Sequence, residues 1–141
     1  MSALTHDLPL SPNPGRGMWP FHLGAAADVV VGLALTFFAG DAARLVLPEH
    51  PLILGLATAS VMRFLGVFLL LFALETVIVA RSTGAMAKFR SWIVAANWAT
   101  VALALVVIAM WHSAFSAVGI AAVAVVAVSV GTFAALQGRA L

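Results

Sequence analysis

Two acidic residues fall inside stretches that are otherwise apolar: Asp28, within FHLGAAADVVVGLALTFFAG, and Glu75, within VMRFLGVFLLLFALETVIVA. An ionisable side chain is costly to place in hydrocarbon, so each marks a candidate proton or cation site, or a pairing point between helices. Asn97, Ser129 and Thr132 add an amide and two hydroxyls within two further apolar stretches. Counted from the helix ends expected on one side of a membrane, Asp28 lies about seven residues in and Glu75 and Asn97 about six, with Ser129 and Thr132 one to two turns in. The five are expected to form one polar cluster, with Asn97 as hydrogen-bond partner. Two carboxyl groups side by side at low dielectric would hold a proton between them. The competing reading is structural: each acid pairs with Arg81, Lys88 or Arg90 reaching in from the interface, or with Asn97 and Thr132 to fix helix register. The structural reading is preferred, because ion paths usually use broken helices and no proline interrupts the crossing segments.

The elements that must position these residues follow from composition. Of 141 residues, 64% are hydrophobic and 9% charged, against about 25% charged in soluble domains. Four apolar stretches at about 21–40, 61–80, 91–111 and 117–137 each approach the roughly 20 residues needed to cross a bilayer. The fold class is therefore all-α, a polytopic four-transmembrane-helix bundle occupying residues 21–141. Residues 1–20, with prolines at 9, 12, 14 and 20, read as an extended cytoplasmic arm without a signal-peptide core, so helix one is expected to remain as an uncleaved anchor. Asp41 to Ala59 reads as an interfacial connection with short helical pieces at 42–47 and 52–57. Trp92 and Trp111 are 19 residues apart, about 28 Å of helix, and with Trp19 they read as interface anchors.

Arg16, Arg81, Lys88, Arg90 and Arg139 fall on one side, Arg44 and Arg63 on the other. The excess of basic residues puts both termini in the cytoplasm of a bacterial inner membrane. Arg81, Lys88 and Arg90 form a basic loop; a lipid-binding protein that contacts anionic headgroups through it is the last-ranked reading, since three basic residues fall short of a polybasic cluster. Outside, Asp41 can pair with Arg44 at i, i+3, and Arg63 can reach Asp41 or Glu49.

Gly24, Asp28, Gly32, Thr36 and Gly40 recur every four residues along helix one, a face of small residues that admits a neighbouring backbone. Helix four, with Gly119 and Gly131, is nearly all Ala, Val, Gly and Ser up to Phe133. Both surfaces are expected to pack closely, inside the bundle or against a protein partner or a second copy.

Several chemistries find no residues to carry them. There is no cysteine, and the histidines at 6, 22, 50 and 112 are scattered, so neither a metal site nor a haem is expected. HExxH, GxSxG, P-loop and dinucleotide fingerprints are missing, which argues against an enzyme and against a cofactor. A formal charge of only +2 gives no basic surface for nucleic acid.

The helix-three segment SWIVAANWATVALALVV and the ending FAALQGRAL resemble an uncharacterised family of small bacterial four-helix integral membrane proteins. Asp28, Arg63 with Gly66, Asn97 and Phe133 to Gln137 are the matching positions, and Glu75 stands outside the pattern. The resemblance implies a four-helix topology and no particular reaction. The expected function is a non-enzymatic bundle acting through helix packing, as an accessory or assembly subunit or a homo-oligomer. The alternative is a small proton- or cation-linked carrier using Asp28 and Glu75.

Overall fold

The computed structural model describes residues 17–141; most of the expected N-terminal arm, with His6 and Arg16, lies outside the described residues. Five helices follow in order: α1 (Trp19–Phe37), α2 (Ala39–Val46), α3 (Thr58–Arg81), α4 (Phe89–Trp111) and α5 (Ala117–Arg139). Four of these, α1, α3, α4 and α5, are long and apolar enough to cross a membrane. Their outward surfaces carry large apolar side chains such as Phe37, Phe64, Trp92 and Val128, a distribution that suits acyl chains and not water.

The expected helix one is shorter than its apolar stretch. α1 stops at Phe37, Phe38 takes a non-helical conformation, and the chain resumes as α2. Gly40 therefore belongs to α2 and not to the glycine face of α1. α2 covers the expected helical piece at 42–47 as far as Val46 and begins three residues earlier, at Ala39. It is amphipathic: Ala39, Ala43 and Leu47 turn inward while Asp41 and Arg44 stay exposed and pair at 2.9 Å. Such a helix suits an interface. Asp41 stands in its first turn and Arg44 in its last, the arrangement that complements the helix dipole.

The second expected helical piece, 52–57, is a hairpin instead. Leu52–Ile53 pairs antiparallel with Leu56–Ala57, and the turn residues Leu54 and Gly55 both have positive φ, 51° and 80°. Two left-handed residues in succession match the twist of a two-residue hairpin, and Gly55 takes that conformation without steric cost. Thr58 closes the hairpin onto α3, its hydroxyl donating to the His50 carbonyl.

The bundle consists of two helix pairs. α1 lies along α3 and α4 along α5; α1 and α5 join the pairs, whereas α3 and α4 touch only slightly. The α1–α3 contact is made by backbones. A Cβ on Gly66 would stand 2.7 Å from the Gly32 carbonyl oxygen and 2.6 Å from the Thr36 hydroxyl, closer than non-bonded atoms can approach. Gly32 and Thr36 make this contact on α1, with Gly66 as their counterpart on α3. Gly119 is equally tight against α2, where a Cβ would lie 2.6 Å from the Val46 carbonyl oxygen. Ser116 caps α5 by accepting from the Gly119 amide at 2.9 Å. It also donates through its hydroxyl and amide to the carbonyls of Leu45 and Val46, which α2 leaves without intrahelical partners. At the opposite end, Phe21, Val79, Ala80 and Ile93 form a buried cluster that ties α1, α3 and α4 together.

Candidate functional site

Asp28 occupies the middle of α1, nine residues from Trp19 and nine from Phe37, about 13 Å from either end. It lines a crevice of about 260 Å³ to which α1, α3, α4 and α5 all contribute. Thr100 of α4 and Ser129 of α5 bring the other polar side chains, and Phe68, Phe72 and Phe133 form much of the wall. Phe68 and Phe72 are stacked, with ring centroids 6.4 Å apart and planes 12° apart. Thr100 donates to the Ala96 carbonyl at 2.9 Å, which leaves its oxygen free to accept. Among the described residues no ion pair engages Asp28; the Asp41–Arg44 pair stands elsewhere, in α2.

Asp28, Ser129, Asn97 and Glu75 of the expected polar cluster fall in three places, and Thr132 stands apart from all of them. Asp28 and Ser129 share the crevice. Asn97 sits one turn nearer the chain termini and donates to the Gln137 side-chain carbonyl at 2.8 Å. Gln137, 1% exposed, donates in turn to the Pro20 carbonyl at 3.4 Å. Pro20 has no amide hydrogen and opens α1, so the amide–amide chain joins the entry of α1 to α4 and α5. Gly24 leaves room for it: a Cβ there would lie 3.0 Å from the Gln137 amide nitrogen. Thr132 only donates to the Val128 carbonyl of its own helix.

Glu75 is the third place, and it is outside. Ala73, Thr76 and Ala80 face inward; Glu75 is two residues beyond Ala73, about 200° around the helix, and it is exposed. Glu75 does not line the crevice that holds Asp28, and among the described residues the two carboxyl groups make no hydrogen bond with each other. Position alone decides this: the Leu- and Phe-rich sequence of α3 hides which face is inward until Gly66 is seen against Gly32 and Thr36.

Gln137 is the residue that sequence reasoning passed over. It stands beside Gly138 and Arg139 at the end of an apolar stretch, where a polar side chain ordinarily faces the interface. Depth gave no signal, since Asn97 lies about six residues inside its own expected span and Gln137 closes its span.

The basic residues also serve the backbone. Arg90 donates to the carbonyls of Ala80 at 3.2 Å and Ser82 at 2.7 Å, closing the C-terminal end of α3; Arg81 and Lys88 are exposed. Arg63 donates to the Thr36 carbonyl at 3.3 Å at the end of α1, instead of reaching Asp41 or Glu49. Trp19, Trp92 and Trp111 are all exposed at helix ends, where anchors must lie. A Cβ on Gly131 would make an ordinary contact, 3.6 Å from Val101, and among the described residues one on Gly40 would meet nothing within 4 Å.

Two larger depressions, about 590 Å³ along α4 and α5 and about 490 Å³ beside the hairpin, are walled almost wholly by apolar side chains. Among the described residues no three of His, Cys, Asp and Glu converge on a point that would hold a metal ion. Comparison of the chain with family models, with curated proteins and with solved structures finds no match.

Proposed function

We propose that the chain is a non-enzymatic, multi-pass membrane bundle that acts through association with a second copy of itself, using the outward face of α3. The observation that carries the reading is the exposure of Glu75. Glu75 lies six residues, about 9 Å, from the Arg81 end of a 24-residue helix that is about 36 Å long. That depth falls within a hydrocarbon core of about 30 Å. The Cα–Cβ bond tilts toward the helix N-terminus, so the side chain leans toward the membrane centre and away from the nearer headgroups. A polar group so placed is stable when another polypeptide covers it.

Phe64, Val67, Leu71 and Ile78 are exposed with Glu75 and fall within about 80° of the α3 circumference. Two copies inserted in the same direction and related by a two-fold axis along the membrane normal bring each of these residues against its own counterpart at equal depth. The two Glu75 carboxyl groups then meet, and a protonated carboxyl donates its O–H to its counterpart across the seam. The glycine faces of α1 and α5 are consumed inside the chain by α3, α2 and Gln137, which favours α3 over them as the associating surface. The excess of basic residues at the end holding Arg81, Lys88, Arg90 and Arg139 supports an orientation with both termini in the cytoplasm, in a bacterial inner membrane.

Native mass measurement after gentle extraction tests the proposal. The expected species is twice 14.6 kDa, reverting to monomer in Glu75→Leu. A wild-type chain that is strictly monomeric in native membranes overturns it.

A further inference from the structure

The crevice around Asp28 holds one carboxyl group, two hydroxyl oxygens and three phenyl rings within about 260 Å³. We infer that it is a binding site for a small organic cation, a protonated amine or a quaternary ammonium group.

Each wall selects for that class. The Asp28 carboxylate supplies the counter-charge, and an ion pair gains strength where water is scarce. Phe68, Phe72 and Phe133 line the crevice with it, and aromatic faces attract desolvated cations. Their apolar surface also fits the methyl or methylene groups such a cation carries. The Thr100 oxygen, its proton already committed to the Ala96 carbonyl, is an acceptor for an ammonium N–H, and Ser129 supplies a second hydroxyl.

Other ligand classes fit less well. A hard divalent ion wants six or more oxygen ligands, several of them carboxylates or carbonyls, and this crevice brings a single carboxylate. An anion would meet Asp28 with the wrong sign. A neutral apolar molecule would displace water from a carboxylate and give nothing back.

Access is lateral. α3 and α4 touch only slightly, and the cluster of Val79, Ala80 and Ile93 joins them near their connecting loop, so the gap between them lies further along. Phe68 lines the crevice and is 61% exposed, so the crevice reaches the surface beside it. A cation with an apolar portion, dissolved in the bilayer, reaches Asp28 by this side. The site is separate from the outward face of α3, because none of Phe64, Val67, Leu71, Glu75 and Ile78 lines it.

Calorimetric titration of the whole chain in zwitterionic lipid nanodiscs with benzyltrimethylammonium is the test, with neopentylbenzene as the uncharged analogue of the same shape. Wild-type protein is expected to bind the cation saturably. Asp28→Asn should weaken binding by about tenfold or more, the scale of one desolvated cation interaction, and Asp28→Glu should retain it. Ser129→Leu keeps the carboxylate but fills the space, and should weaken binding even though the charge remains; it also serves if Asp28→Asn does not fold. The inference is overturned by a wild type without saturable binding, by equal binding in Asp28→Asn, by unchanged binding in Ser129→Leu, or by equal affinity for the uncharged analogue.

Discussion

The Asn97 side-chain amide donates to the Gln137 side-chain carbonyl at 2.8 Å, across 40 residues of sequence. This bond and the onward contact from Gln137 to Pro20 hold the start of α1 against the α4–α5 pair. Truncating one partner leaves the other with an unmet amide in apolar surroundings. Asn97→Leu and Gln137→Leu should each destabilise the bundle by about 1–2 kcal/mol. The double substitution should cost less than the sum. Thermal unfolding in detergent measures all three, and strict additivity would show that the two side chains act independently.

The glycines divide sharply by what surrounds them. Gly66→Ala should push α1 away from α3 and cost about 1–3 kcal/mol, as overpacking does, because the obstructing atoms include the Gly32 carbonyl and the Thr36 amide. Gly40→Ala meets nothing among the described residues and replaces a poor helix former within α2, so it should be neutral or stabilising by up to about 1 kcal/mol. Equal unfolding temperatures for the two variants would contradict this assignment.

Thr76 is 1% exposed, and among the described residues its hydroxyl finds no partner. A group of the same shape without the polar atom removes an unmet donor at little packing cost. Thr76→Val should leave unfolding unchanged or raise its midpoint. A clear loss would mean that the hydroxyl is engaged.

Crossing number and direction can be read separately from packing. With a natural chain free of cysteine, single cysteines report one position each. Ala85→Cys, in the basic loop, should react with a membrane-impermeant thiol reagent only from the cytoplasmic side. Leu54→Cys, at the 99% exposed hairpin tip, should react only from the other. Modification of both from one side would break the four-crossing arrangement.

Much of this architecture is written in hydropathy. The starts and ends of α4 and α5 lie within two residues of the expected spans, since Trp92 and Trp111 bracket one and Ser116 caps the other. What hydropathy does not carry is direction around a helix. Asp28 could be turned inward from its four-residue spacing with Gly24, Gly32 and Thr36, and it does line the crevice. Glu75 had no such companions, and its depth alone suggested a neighbour that its angle denies. The hairpin at 52–57 was hidden for a different reason: LILGLA is as apolar as a helix, and only the positive φ of Leu54 and Gly55 decides otherwise. Gln137 was hidden by its position at the end of a stretch.

The outward face of α3 is tested most directly by cross-linking in native membranes. Leu71→Cys places a thiol at the centre of the proposed seam, 62% exposed in the single chain, while Val30→Cys places one on α1 at 68% exposure. Under mild oxidation Leu71→Cys should give a disulfide-linked dimer of the chain, and Val30→Cys should remain monomeric. Equal cross-linking at both positions, or none at Leu71→Cys, would contradict association through α3.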